Sequence, residues 1–135
     1  MDEVQVEIGN DRYRSVVEAG KHRIIADEPA SLGGADTGMD PIAMLLASLG
    51  SCTVITLRMY ADRKGWPLTA AKVRLTLQRQ SEPAGTRIVT RLWLEGPLEG
   101  PQKTRLLEIA GRCPVHRILN HPVIIDTRLE ASTVR

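Results

Sequence analysis

Alternating apolar and polar residues near the N-terminus predict three short strands. Residues 4–8 alternate in the way that is typical of a half-buried strand. The turn-forming run at 9–11 predicts a hairpin that returns through residues 13–18. A second turn precedes residues 22–26, which predict a third strand. The stretch 27–39 contains one proline and three glycines among small polar residues, so we predict a loop there.

The next segment predicts one long helix. Asp40 is a favourable N-cap, Pro41 suits the first helical position, and the helical pattern runs from 42 to about 63 before Gly65 ends it. Residues 42–57 are apolar or small on every face, which is typical of a helix that is buried all round or spans a membrane. Because Ser and Thr dilute this run and no interfacial aromatics flank it, we predict a buried helix. Its own sheet would cover one face and a second subunit the other.

The second half of the chain predicts further strands and two shorter helices. The predicted elements are, in order, a strand at 73–77, a turn at 81–85, an antiparallel return strand at 88–94, a helix at 101–111, a short helix at 114–119 and a last strand at 123–130. This order of strands, long helix, strands, helices and strand predicts a single α+β domain over residues 1–135.

Composition and charge narrow the classes of function. The 135 residues are 42% hydrophobic and 25% charged, as in an ordinary globular protein, but no Phe is present, so the core must be aliphatic. The net charge is only +2 and the basic residues are spread along the chain, which argues against nucleic-acid binding. Three His and two Cys form no evident zinc motif. The first residues lack a signal-peptide pattern, so we expect a cytoplasmic protein outside the membrane.

The two cysteines are the candidate reactive groups, although either thiol could simply pack in the core. Cys113 directly precedes Pro114, so we predict it at the N-cap of a short helix, whose dipole favours a thiolate. His116 can assist this thiol or face solvent. Cys52 lies in the middle of the long helix and has no charged neighbour on its own face. Any cation that activates Cys52 must come from another segment or subunit. The spacing of the two cysteines in the sequence does not determine whether residues 52 and 113 can form a disulfide.

Several motifs resemble those of the OsmC/Ohr family, and they look most like its general OsmC-like branch. They are the segments at 22–29, 38–41, 45–52, 56–61, 64–68 and 112–117, which read HRIIADEP, GMDP, LLASLGSC, TLRMYA, KGWPL and RCPVHR. The resemblance covers nearly the whole chain. It implies an intertwined homodimer in which antiparallel sheets surround two long buried helices, with the thiol sites at the subunit interface.

The resemblance also implies a peroxidase without a cofactor. An organic hydroperoxide would oxidise Cys52 to a sulfenic acid, and Cys113 would resolve it as a disulfide. A dithiol, which is a lipoylated protein in some members, would then reduce the disulfide. The arginine that activates Cys52 is expected on the N-terminal hairpin, with Arg12 as the first candidate and Arg14 as the second. An apolar substrate pocket is expected along the long helix, at Met44, Leu45, Leu49 and Ile55.

One position departs from the family pattern. The well-studied peroxidases carry a Glu directly after the helix-opening proline, where it orients the activating arginine, and this chain has Ile42 there. Asp27 or Glu28 in the preceding loop could take that place. Two other functions stay open on this scaffold. One is a non-enzymatic dimeric protein that binds a hydrophobic ligand, and the other is a redox sensor in which the 52–113 disulfide changes partner binding.

Overall fold

The computed structural model describes residues 2–79 and 85–131 of the chain. Three strands come first, which are β1 at Gln5–Ile8, β2 at Ser15–Ala19 and β3 at His22–Ala26. A short 3-10 turn at Ala30–Leu32 precedes the long helix α1 at Pro41–Lys64. Strands β4 at Ala70–Arg79 and β5 at Thr86–Glu95 follow, and then helices α2 at Gly100–Ala110 and α3 at Pro114–Leu119. The predicted α+β class is confirmed, with one exception at the C-terminal end.

The first three strands form an antiparallel sheet of their own, in the order β1-β2-β3. Val17 of β2 pairs with Val6 on one side and with Ile24 on the other, which gives one face an apolar row. Val6 is 59% exposed and Ile24 is 51% exposed, so the described part of the chain leaves this row largely uncovered. An apolar sheet face is stable only when another layer packs on it, so this sheet needs a partner layer.

Asp27 fastens the loop after β3 to the N-terminal sheet. Its buried carboxylate accepts hydrogen bonds from the backbone N–H of Tyr13 at 3.2 Å and of Glu28 at 2.7 Å. Thr37 donates both its hydroxyl and its backbone N–H to the second carboxylate oxygen. These bonds, the Thr37 hydroxyl first among them, hold the pKa of Asp27 well below its usual range. The loop is therefore an ordered element that leads into α1.

The helix α1 begins and ends where its capping residues predict. The side chain of Asp40 accepts a hydrogen bond from the backbone N–H of Ala43 at 2.7 Å, and Pro41 occupies the first turn. Gly65 has a φ of 69°, the left-handed conformation that ends many helices and that glycine adopts without strain. The predicted N-cap role of Asp40 is confirmed.

One face of α1 is buried by its own chain. Its buried residues recur at helical spacing and are Leu49, Gly50, Thr53, Leu57 and Ala61. Strand β4 lies directly on this face, because a Cβ atom added at Gly50 would come within 2.8 Å of Leu75 Cδ1. Further along, the core is completed by three residues outside the helix, namely Leu68, Leu106 and Ile109. Glycine at position 50 thus leaves room for the side chains of β4 to pack closely on the helix.

The opposite face of α1 is exposed in the single chain, and its predicted burial by a second subunit stays a prediction. Ile55 is 51% exposed and Met59 is 64% exposed, and Ile42 and Leu45 are exposed as well. By length and composition α1 is apolar enough to cross a membrane, a test that the core helix of a soluble protein also passes. A continuous apolar face of this kind marks an interaction surface.

Strands β4 and β5 form a long antiparallel hairpin. Their register runs from Ala70 opposite Glu95 to Arg79 opposite Thr86. Exposure alternates along β4, with one face turned toward α1 and the other toward solvent. The strands predicted at 73–77 and 88–94 are confirmed and extend further than predicted. The predicted turn at 81–85 lies, except for its last residue, outside the described residues.

The predicted last strand at 123–130 is wrong for the described chain. Residues 123–130 form no strand and pair with neither of the two sheets that the described residues build. Ile124 is 86% exposed and Leu129 is 99% exposed. A strand needs a neighbouring strand to satisfy its backbone N–H and C=O groups, and no described segment of the same chain lies beside this one. The apolar residues of this segment therefore have no packing partner among residues 2–79 and 85–131.

We predict that Asp27→Asn removes part of the acid sensitivity of the fold. Because folding lowers the pKa of Asp27, its ionised form stabilises the fold fully above about pH 4, and this contribution is lost as the pH falls further. The variant should melt at a lower temperature at pH 7 and lose less stability on acidification, as measured by circular dichroism. The control Asp36→Asn changes an exposed carboxylate of the same loop and should keep the wild-type profile. A wild-type profile for Asp27→Asn would contradict the prediction.

Candidate active site

The N-terminus of α3 holds one of the two cysteines. Cys113 is the N-cap of this helix, and its Sγ accepts a hydrogen bond from the backbone N–H of His116 at 3.4 Å. Pro114 follows at the first helical position. The side chain of Cys113 is completely buried. The predicted cap is therefore confirmed, and the thiol points into the protein rather than toward solvent.

Thr53 of α1 contacts the buried sulfur from the other side. Its Oγ1 lies 3.8 Å from Cys113 Sγ and 2.9 Å from the backbone oxygen of Leu49. A hydroxyl has a single hydrogen, which Thr53 donates to Leu49, so in this contact the S–H of Cys113 is the donor. Sequence reasoning missed Thr53. Its position could have revealed it, because Thr53 directly follows Cys52 and lies four residues from both Leu49 and Leu57 on the buried face of α1.

Cys52 lies beside Cys113, and both are free thiols. Cys52 is half-buried, and burial is the main cause that raises the pKa of its thiol. The neighbouring Cys113 raises this pKa further, whereas the backbone amide of Val115 and the side chain of Thr56 act in the opposite direction. The structure thus brings together the two cysteines, whose pairing the spacing in the sequence left open.

The two candidate arginines lie on a different part of the chain. Arg12 precedes β2 in the connection from β1, and Arg14 lines a shallow cavity of about 200 Å³ beside Glu18 and Arg23 of the N-terminal sheet. The main contacts of α1 are with β4, α2 and α3. No guanidinium is among the main influences on the pKa of Cys52 within the described chain. A role for Arg12 or Arg14 at Cys52 stays a prediction.

The two loop carboxylates proposed to replace the missing Glu differ in availability. Both oxygens of Asp27 already accept hydrogen bonds from the loop and the sheet, which leaves little capacity for a guanidinium. Glu28 lines a cavity of about 330 Å³ together with Tyr13 and Pro41, the first residue of α1. Of the two, Glu28 is therefore the carboxylate whose oxygens accept no hydrogen bond from the described residues, and it shares a cavity with the residue before Ile42.

Two of the four aliphatic residues expected to form one pocket, Leu49 and Ile55, line separate cavities. Leu49 lies in cavities between β5 and α3, beside Ile88 and His116. Ile55 instead lines a mostly apolar groove of about 360 Å³ with Met59 and four other residues. Leu49 and Ile55 therefore do not share one of these cavities, because their side chains project from different faces of α1. Among residues 2–79 and 85–131, no group of three or more His, Cys, Asp or Glu side chains could hold a metal ion.

A family model described as OsmC-like protein matches residues 33–128, which include both cysteines and all of α1. The chain belongs to the OsmC-like protein family. Its cysteines thus lie on a scaffold that the family shares. The predicted resemblance is confirmed at the level of the family. A search of curated proteins finds no match.

Solved structures share the fold of this OsmC-like protein. An OsmC-like protein from Mycoplasma pneumoniae is 20% identical with a TM-score of 0.76, and the match covers 89% of this chain and 87% of that one. A Psychrobacter arcticus protein assigned to osmotic stress and detoxification is 20% identical with a TM-score of 0.74, over 90% of both chains. An organic hydroperoxide resistance protein from Legionella pneumophila is 18% identical with a TM-score of 0.62, over 88% of both.

We predict that mild oxidation joins the two cysteines within one chain. Treatment with diamide should produce a peptide pair linked through Cys52 and Cys113, detected by mass spectrometry after digestion without reduction. Cys113 is near enough to influence the pKa of Cys52, and this proximity favours the product because a disulfide forms only between neighbouring cysteines. Cys52→Ser and Cys113→Ser are the controls and should give no such pair. Recovery of disulfides only between separate chains would argue against the arrangement.

Proposed function

We propose that this OsmC-like protein is a thiol-dependent peroxidase that reduces organic hydroperoxides in the cytoplasm. The observation that carries the proposal is the contact between a half-buried thiol on α1 and a fully buried thiol at the N-cap of α3. Two reduced thiols in contact can be oxidised to a disulfide and restored, which is the chemistry of a two-cysteine peroxidase. The name of the Legionella relative, an organic hydroperoxide resistance protein, supports the same substrate class.

The difference in exposure between the two sulfurs supports a different role for each. Cys52 is the more accessible thiol and receives the oxidant, whereas Cys113 is buried and reaches only its neighbour. The Cys52 thiolate attacks the outer oxygen of the hydroperoxide, so that an S–O bond forms and the O–O bond breaks. The alkoxide takes up a proton and leaves as an alcohol. Cys52 is now a sulfenic acid, oxidised by two electrons.

Cys113 then completes the turnover. Its thiolate attacks the sulfenic sulfur, an S–S bond forms, and the hydroxide that leaves takes up a proton as water. An external dithiol donates two electrons and two protons to the disulfide, restores both thiols and becomes a cyclic disulfide itself. A dithiol suits this step because its second thiol releases the mixed disulfide from within the same molecule. Lipoylated proteins, which serve some family members, belong to this class.

The described part of the chain places no cation among the main influences on Cys52, although the first step needs one. Only the thiolate attacks, yet burial raises the pKa of Cys52 and no described guanidinium offsets it. We propose that a homodimer supplies the guanidinium. The exposed apolar face of α1, the apolar row of the N-terminal sheet and the segment 123–130 are the surfaces that a second copy would cover. Arg12 is the first candidate donor from the partner chain, and Arg14 is the second.

Two alternative functions have specific observations in their favour. A raised thiol pKa slows attack on peroxide, and the groove beside Ile55 and Met59 is mostly apolar. The apolar groove would suit a protein that binds a hydrophobic ligand, and the slow thiol would suit a redox sensor that oxidises without rapid turnover. Rapid, repeated turnover of hydroperoxide separates the enzyme from both alternatives.

We predict turnover of cumene hydroperoxide with a dithiol as reductant, measured by stopped-flow kinetics. Cys52→Ser should reduce the rate to that of the uncatalysed reaction, because no other described thiol is accessible. Cys113→Ser should consume the first equivalent of hydroperoxide at the wild-type rate and then accumulate sulfenic and sulfinic acids, which mass spectrometry detects. Equal rates for the wild type and Cys52→Ser would refute the enzymatic proposal.

We predict that the activating arginine acts across the dimer. Arg12→Gln and Cys52→Ser chains should each be inactive, but dimers reassembled from an equal mixture should regain about a quarter of wild-type activity. About half of these dimers are mixed, and each mixed dimer has one intact site out of two. A second experiment uses Arg14→Gln in place of Arg12→Gln, and comparison of the two identifies the arginine that activates Cys52. Arg23→Gln is the matched control. A mixture that stays inactive in both experiments would argue against a shared site.

A further inference from the structure

The outer face of the β4–β5 hairpin gathers three cations around one indole ring. Lys72 is paired with Trp93 across the strands, and Arg74 with Arg91 in the next register. The Lys72 ammonium lies 5.9 Å from the Trp93 ring centroid, the Arg74 guanidinium 5.9 Å and the Arg91 guanidinium 5.2 Å. All four residues are exposed, and Trp93 keeps 40% of its surface accessible. These four residues are called the Trp93 face.

The charge of the Trp93 face is not neutralised by the described part of the chain. No carboxylate there lies within ion-pair distance of Lys72, Arg74 or Arg91. Glu95 is on the same side of the hairpin, opposite Ala70, but it forms no ion pair with them. Like charges placed directly opposite each other on neighbouring strands are destabilising, as for Arg74 and Arg91. The negative face of the indole offsets this only in part.

We propose that the Trp93 face docks the protein on an anionic lipid bilayer. Basic side chains are attracted to the negative surface of such a membrane, and Trp partitions favourably into its interfacial region. The face is the outer side of a two-stranded sheet, and its four residues line none of the cavities described above, so it presents a surface rather than a groove. An exposed surface of this kind matches a planar partner.

Single-stranded nucleic acid fits the Trp93 face less well. Proteins that bind it combine a basic groove with aromatic rings whose faces are free to stack on bases. Here three cations already lie within 6 Å of the Trp93 ring centroid, and they compete with bases for the ring.

A bilayer also supplies acyl hydroperoxides, so docking would bring the protein to its substrate. This access to substrate, unlike the docking itself, rests on the proposed function.

Co-sedimentation of the full-length protein with lipid vesicles tests the proposal. We expect binding to phosphatidylglycerol vesicles at low salt, weaker binding as salt is added, and none to phosphatidylcholine vesicles. Each basic residue near an anionic surface strengthens binding about fivefold, so the double variant Arg74→Glu and Arg91→Glu should bind at least about 25-fold more weakly. A milder pair, Arg74→Gln and Arg91→Gln, serves if the charge-reversed protein does not fold.

The matched control carries the same change of net charge elsewhere. Lys21→Glu with Lys103→Glu alters two exposed cations away from the hairpin and should bind like the wild type. Cys52→Ser should also bind normally, which keeps this result independent of peroxidase activity. Three results would overturn the proposal: equal binding to neutral vesicles, an equal loss in the Lys21 and Lys103 control, or binding of a single-stranded oligonucleotide without binding of vesicles.

Discussion

The packing of α3 against the middle of α1 is the contact on which the rest of the site depends. It places the N-cap sulfur of Cys113 between Thr53 on one side and the backbone of His116 on the other. Because α1 is one continuous helix, the packing of its buried face against β4 determines the position of Cys52. The relation between the two thiols is therefore set by the hydrophobic core and not by the local sequence around either cysteine.

The features that the sequence predicted correctly depend on interactions within one or two helical turns. The Asp40 cap, the Gly65 terminus and the Cys113 N-cap each involve residues at most four positions apart, so their signals are local. The contact between the thiols, the role of Thr53 and the fate of residues 123–130 depend on segments far apart in the chain. A short apolar, β-branched segment such as 123–125 has the same pattern whether or not a neighbouring strand exists, which is why the last strand was predicted wrongly.

The basic surface of the protein could not be predicted from the sequence either, because it also depends on contacts between distant segments. Lys72 and Arg74 are far in sequence from Arg91 and Trp93, and the chain as a whole is nearly neutral, so the basic residues look dispersed. The register of the β4–β5 hairpin brings them into two adjacent pairs on one face. Hairpin register depends on the turn and on which face is buried, and neither is visible in a charge count. A concentrated basic surface can thus arise on a protein with a small net charge.

The uncovered surfaces and the unactivated thiol have one common explanation in the proposed homodimer. An exposed apolar helix face, an uncovered sheet face and an unpaired C-terminal segment are each unfavourable in water. In a dimer with twofold symmetry, the same contacts would cover these surfaces on both chains. Cys52 projects from the same helix whose outer face needs covering, so the partner that buries this face also approaches the thiol. Assembly would then control both stability and the ionisation of Cys52. A lone chain would keep its two thiols in contact but lack the charge that makes one of them reactive.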